Sequence, residues 1–183
     1  MKLLPALLLV TLTALPAAAL EMAGVALEPA VTVNNHTIRL NGAGIRKKFF
    51  IKVYIGSLYS ARRLTSAGEA LADRGDKLIR MNFLHSRVEK GKIVEAFREG
   101  FANNTPAMAG SVDAKRFLSF FTADFVRGDV VDLVLGSDGS VVVRHNGKVL
   151  GSLVSPPLAH AILAIYLGER PADEGLKQGM LGG

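Results

Sequence analysis

Asp138-Gly139 and Asn146-Gly147 each break a run of alternating apolar residues, and they leave room for short strands at 129–135, 141–144 and 148–154. Both dipeptides suit type I′ turns, whose two central residues take positive φ, so this stretch reads as an antiparallel meander. Near the other end, PAVTVNNHTIRLN over 29–41 sets two alternating runs around Asn34-Asn35, another hairpin. Gly42-Ala43-Gly44 then opens a loop, and alternation returns over 49–55. Phe49, Ile51, Val53 and Ile55 fall on one face there, Phe50, Lys52 and Tyr54 on the other. A further strand covers 78–84, with Ile79, Met81 and Phe83 to one side.

Helices fill the middle. A capping Thr65 opens a short helical turn over 65–73. Over 89–103, Ile93, Phe97 and Phe101 recur at helical spacing with Glu95, Arg98 and Glu99 facing outward. Pro106 and Gly110 end that helix. Ser111 and Asp113 cap a second one carrying Phe117, Leu118, Phe120, Phe121 and Phe125. Pro156-Pro157 starts a last apolar helix over 158–167, followed by Gly168 and a polar helical tail. Strands at both ends with helices between them describe an α+β fold, a largely antiparallel sheet with helices on one face.

The chain has 183 residues, the size of one domain. With 49% apolar and 21% charged residues it is not a disordered chain. It contains no cysteine, which excludes disulfides, thiolate metal sites and thiol nucleophiles. A net charge of +6 favours anionic partners in general terms.

Residues 1–19 read as an address. Lys2 precedes an uncharged apolar run, Pro16 and the small residues Ala17-Ala18-Ala19. That is the layout of a secretory signal cleaved after Ala19, leaving one domain over 20–183. The expected location is secreted, in the periplasm of a prokaryote. Membrane contact is expected only through this segment if it stays attached.

Most chemistries find no residues to carry them. His36, His85, His145 and His160 lie far apart, with no HExxH, so no metal is expected. No serine sits in a GxSxG. Glu95 and Glu99 share a polar helix face, where carboxylates are ordinarily solvated. Gly42-x-Gly44 lacks the third glycine of a dinucleotide fingerprint, with Lys47 in its place, and leads into a strand pattern. The basic run Arg46-Lys47-Lys48 has no interleaved aromatic stripe for nucleic acid and lies on no amphipathic helix for a membrane. No cofactor is implied.

A cavity remains. Two phenylalanine-rich helices over a sheet either fill the core between the layers or leave an elongated apolar pocket there. Arg46 is the cation that would select an amphipathic anion at such a pocket, because guanidinium binds carboxylate bidentately and stays charged when desolvated.

The segment LNGAGIRKKFFIKVYIGSLY over 40–59 resembles the first signature of the chalcone isomerase-like superfamily, a G-x-G-x-R turn entering a strand with a VY…LY end. EGFANN, closing the helical stretch 88–104, is similar to the central helix of its bacterial branch. LAHAILAIYLGERPADEGL over 158–176 is similar to its C-terminal helix, glycine and proline. The resemblance implies an open-faced β-sandwich, a large antiparallel sheet covered by helices, with a ligand cleft between the layers. It also implies one of two functions. Plant chalcone isomerases cyclise a chalcone with an arginine, a strand threonine, and a tyrosine and an asparagine on the central helix. Non-catalytic relatives grip a fatty-acid carboxylate with the same arginine and a tyrosine in place of the threonine.

On this sequence the arginine falls on Arg46 and the strand position on Tyr54, the fatty-acid-binding type. The helix tyrosine falls near Glu89, the asparagine near Ala96 and a polar C-terminal-helix position near Leu158. The resemblance thus implies a non-catalytic binder of a fatty acid or similar apolar carboxylate, with Arg46 and Tyr54 as ligand-binding residues and no catalytic set. Two alternatives stay open: an intramolecular lyase (isomerase) of chalcone isomerase type, and a structural module that binds a partner and no ligand.

Overall fold

The computed structural model describes residues 20–183, so the expected signal segment and its cleavage point lie outside the described residues. Eleven strands and six helices form in these residues: β1 (Leu20–Met22), β2 (Val25–Leu27), β3 (Ala30–Val33), β4 (His36–Lys48), β5 (Ile51–Ser60), α1 (Ala67–Ala72), β6 (Lys77–Phe83), β7 (Arg87–Val88), α2 (Lys90–Asn104), α3 (Pro106–Ala109), α4 (Val112–Leu118), β8 (Phe125–Val126), β9 (Val130–Leu135), β10 (Ser140–His145), β11 (Lys148–Val154), α5 (Pro156–Leu167) and α6 (Glu174–Met180). Seven strands make one antiparallel sheet in the order β11-β10-β9-β6-β5-β4-β3.

Local chemistry explains most of the turns. Asn34 and Asn35 both take positive φ between β3 and β4, and Asn146 and Gly147 do so between β10 and β11, as a two-residue type I′ connection requires. The β9–β10 turn differs from the expectation. It runs over 136–139, closed by Gly139 N–H donating to the Gly136 carbonyl at 2.9 Å, and there only Gly139 has positive φ. Helix α1 is capped by Ser66 and not by Thr65, in a reciprocal capping box with Glu69. The second phenylalanine helix stops at Leu118. Phe120 and Phe121 follow it in a turn, and Phe125 sits in β8.

The expected loop at Gly42-Ala43-Gly44 is the middle of the long strand β4. These glycines answer to close packing, because α6 lies with its backbone directly on them. A Cβ at Gly42 would sit 2.2 Å from the Gly179 carbonyl oxygen, and one at Gly44 2.9 Å from Leu176 Cα. Asn41 forms a bulge beside them and fastens the contact. Its amide donates to the carbonyls of Leu64 and Met180, both at 2.8 Å, and accepts from Leu64 N–H at 2.7 Å.

One face of the sheet carries the main core. Leu58, Ile79, Met81, Phe83, Val131 and Leu133 pack there against Ile93, Phe97 and Phe101 of α2, Phe117 of α4 and the apolar length of α5. The phenylalanines fill this layer and leave no slot among themselves. Phe97 meets Phe117 edge-on at 5.0 Å and Phe121 at 5.2 Å, while Phe83 stacks on Phe125 at 4.8 Å. The opposite face holds smaller apolar clusters, one of them covered by Met22 and Val25 of the β1–β2 hairpin. Arg80 is held on that face by Asp132 at 2.7 and 3.0 Å and by Glu28.

Candidate functional site

Arg46 on β4 and Tyr54 on β5 are direct cross-strand partners. Side chains of paired residues project from the same face of a sheet, and here that is the face the helices cover. One step toward the hairpin end the register slips. Lys47 pairs with Lys52, so Val53 is the extra residue of a bulge in β5. The even alternation expected over 49–55 therefore fails at Val53, and Ile51 and Val53 both join Arg46 along one groove.

That groove has a volume of about 430 Å³. Ile51, Val53, Val88, Ile93 and Ala96 give it apolar walls, while Lys48, Arg87 and Lys92 bring cations and Glu89, Glu95 and Glu99 carboxylates. Arg46 also borders a second space toward the core, with Tyr54, Met81, Phe97, Ile165 and Tyr166. This inner chamber measures only about 10 Å³, the room of a single water. Arg46 and Ala96 stand at the junction of the two spaces.

The guanidinium is held by ring chemistry. Its carbon lies 5.6 Å from the centre of the Tyr54 ring. Among the described residues no carboxylate comes within 4.0 Å of it, and its buried Nε has no hydrogen-bond partner. Tyr54 first of all, with Tyr166 and Asp173, raises the Arg46 pKa despite burial, so the group is charged at any ordinary pH. Asp173 caps α6 through Leu176 N–H at 2.9 Å and accepts from Lys47 N–H at 3.0 Å, which ties the helix start to the strand end beside Arg46.

Other buried cations are satisfied. Lys77 lines a larger depression of about 690 Å³ on another part of the fold. Its ammonium already donates to the Asp73 carbonyl at 2.6 Å, the Asp73 carboxylate at 2.7 Å and the Gly75 carbonyl at 3.0 Å. The buried cation of that depression is therefore already satisfied. Arg46 is only half-buried, but its buried Nε lacks a partner, and such a donor is costly unless a ligand completes it.

The three remaining family positions divide. Glu89 and Ala96 do border the groove, carrying neither a phenol nor an amide. Leu158 is fully buried in the helix–sheet core and borders neither space. The residue that α5 does bring to the site is Tyr166, which sequence reading passed over. Burial pushes its hydroxyl well above the usual phenol range, and its O–H donates to the Met81 sulfur at 3.4 Å. Its one signal in the sequence is a lone phenol in the apolar run AILAIYL. Among the described residues no group of three or more histidines, aspartates or glutamates is placed to hold a metal.

Comparison with known proteins agrees with this architecture. Residues 19–182 match the family model described as "Chalcone isomerase-like". Fatty-acid-binding protein 1 of Arabidopsis thaliana is 27% identical over 177 residues, covering 78% of this chain. The chain spans 62% of that relative's length. A crystal structure of an Arabidopsis thaliana fatty-acid binding protein superposes with a TM-score of 0.67 at 22% identity, over 86% of this chain and 92% of that one. The α+β arrangement, a large antiparallel sheet with helices, is the fold of that structure.

Proposed function

Because the chain belongs to the chalcone isomerase-like family, we propose that it is a non-catalytic binder of a fatty acid or similar apolar carboxylate. Arg46 holds the carboxylate beside Tyr54, and the acyl chain lies along the outer groove. The observation that carries this reading is the buried Arg46 Nε without a partner, on a guanidinium with no carboxylate in range. The fatty-acid-binding relative from Arabidopsis supports the choice of ligand class. Groove size supports it too, since about 430 Å³ lies within the ordinary range for small-molecule sites.

The inner chamber is too small for a chain, so the head group sits at the junction and the tail runs outward past Ile51, Val53 and Ile93. Each methylene removed from water contributes about 0.8 kcal/mol. Lost freedom of the ligand takes back several kcal/mol, which leaves affinities on the order of micromolar. The same proposal takes residues 1–19 as a secretory signal and puts the binding in the periplasm.

Titration calorimetry of palmitate against hexadecanol, on wild type and Arg46→Ala, tests the reading. Palmitate binds wild type and is preferred over the alcohol, and the preference disappears in Arg46→Ala. No binding of any saturated or unsaturated fatty acid to wild type would sink it.

One observation favours a second reading, chalcone-type cyclisation. Tyr54 and Tyr166 place two phenols at one guanidinium, a donor set able to stabilise an enolate. Loss of chalcone absorbance above the spontaneous rate, abolished in Arg46→Ala, would favour it over binding alone.

A further inference from the structure

The β4–β5 hairpin ends in a two-residue turn made of Phe49 and Phe50, between paired Lys48 and Ile51. Of the other two-residue hairpin turns among the described residues, Asn34-Asn35 and Asn146-Gly147 use residues suited to positive φ, and Ala23-Gly24 pairs a glycine with the smallest chiral side chain. Here a phenylalanine takes φ +56°, a conformation that bulky side chains adopt only at a cost. Both rings also face solvent. Phe49 is 87% and Phe50 101% exposed, and Ile51 beside them is 49% exposed. Local stability and solubility would each be better served by Gly-Ser, so the pair answers to something outside the fold.

Charge identifies what that is. Lys47, Lys48 and Lys52 flank the rings, and among the described residues none of them is within ion-pair distance of a carboxylate. No acidic residue occurs in the sequence between Glu28 and Glu69. The acids that approach in space are Asp173, which accepts from the Lys47 backbone, and Glu89, Glu95 and Glu99 across the groove. A second copy docked symmetrically would set its own lysines against these. Exposed aromatic rings ringed by free lysines fit the boundary of an anionic bilayer, where rings enter the acyl region and ammonium groups stay among the phosphates.

We propose that the Phe49-Phe50 tip docks the protein on an anionic lipid surface. Read from sequence, the basic run Arg46-Lys47-Lys48 has no membrane role because it lies on no amphipathic helix. The hairpin supplies the missing apolar partner at a turn instead. Lys48, Phe49 and Ile51 also line the groove, so docking sets its mouth against the bilayer. On the binding reading above, an acyl chain then passes between bilayer and groove without crossing open water. That last consequence rests on the ligand proposal; the docking itself does not.

The chain has no tryptophan, so Phe50→Trp in the full chain introduces one emitter at the tip. Vesicles of equimolar phosphatidylcholine and phosphatidylglycerol should shift its emission to the blue, and bromine-labelled acyl chains should quench it. Adding Lys47→Glu and Lys48→Glu should weaken the response by more than roughly thirtyfold. Phe49→Gly with Phe50→Ser, which suits the turn, should keep the thermal transition and lose vesicle co-sedimentation.

Three results would overturn the proposal. One is emission unmoved by anionic vesicles. Another is an equal shift with pure phosphatidylcholine that ignores charge reversal. The third is emission already blue-shifted, in proportion to protein concentration, before lipid is added, which marks a protein surface as the occupant. The vesicles contain no free fatty acid, so failure here leaves the palmitate titration as an independent test of the ligand.

Discussion

Arg46 and Tyr54 face one another across adjacent antiparallel strands, with the guanidinium carbon 5.6 Å from the centre of the phenol ring. The pair contains a half-buried cation and no anion. The buried Nε of that cation has no partner, and a bound carboxylate would complete it.

Arg46→Met should accordingly stabilise the ligand-free protein by about 1 kcal/mol, a rise of about 2–4 °C in Tm. Palmitate should raise the Tm of wild type and leave that of the variant unmoved. Paired scanning calorimetry, with and without palmitate, reads both effects. A variant that melts well below wild type would mean the guanidinium is already satisfied.

Ala96 borders both the groove and the inner chamber, on the exposed-to-core boundary of α2. Ala96→Leu adds bulk at that junction and keeps a good helix former. Palmitate affinity should fall more than about tenfold, a loss of about 1.4 kcal/mol, with Tm nearly unchanged. An unaffected affinity would place the ligand elsewhere.

The raised pKa of Arg46, caused chiefly by Tyr54, keeps its charge constant over the working range. Carboxylate binding should be flat from about pH 6 to 9 and should weaken only as the ligand's own carboxyl takes up its proton. A midpoint well above that of the ligand's own carboxyl would instead implicate a protein group on the groove wall. Affinity measured across buffers settles which.

Gly42 meets the backbone of α6 with no space for a side chain. Gly42→Ala should cost about 1–3 kcal/mol by overpacking and lift α6 from the strand. Chemical denaturation gives the stability loss. Faster amide exchange at Leu176 and Met180, both fully buried, would show where it falls.

Asp73 is one of several carboxyls that make the fold acid-sensitive. Burial pushes its carboxyl up, but hydrogen bonds from Lys77 and Arg62 outweigh burial and hold its pKa below the ordinary carboxylate value. A depressed folded-state pKa gives stability that is present above the unfolded value of about 3.9 and disappears as pH falls through the lower folded one. Tm should therefore drop below about pH 4, and Asp73→Asn should lower Tm at neutral pH while flattening that acid limb.

What the sequence made legible was local. Asn34-Asn35 and Asn146-Gly147 announce their turns because the required φ values depend on those residues alone. Arg46 and Tyr54 are legible through a motif. The place of Gly42 and Gly44 is not, because their reason lies in α6 at the far end of the chain, and two glycines in isolation read as a loop. Tyr166 was hidden by its setting, since a phenol within an apolar helix looks like core until the helix is docked against Met81. The Val53 bulge was invisible for a similar reason: an extra residue exists only relative to the partner strand. Phenylalanine spacing fitted both a filled and a hollow interlayer, and ring packing decided for filled.

Val53 also divides the hairpin into two registers that need not change together. Grafting a foreign turn beyond it would alter what the molecule touches while sparing how it grips. Deleting Val53 itself would fuse the two registers into one, because the Arg46–Tyr54 and Lys47–Lys52 pairs would then follow with no residue skipped.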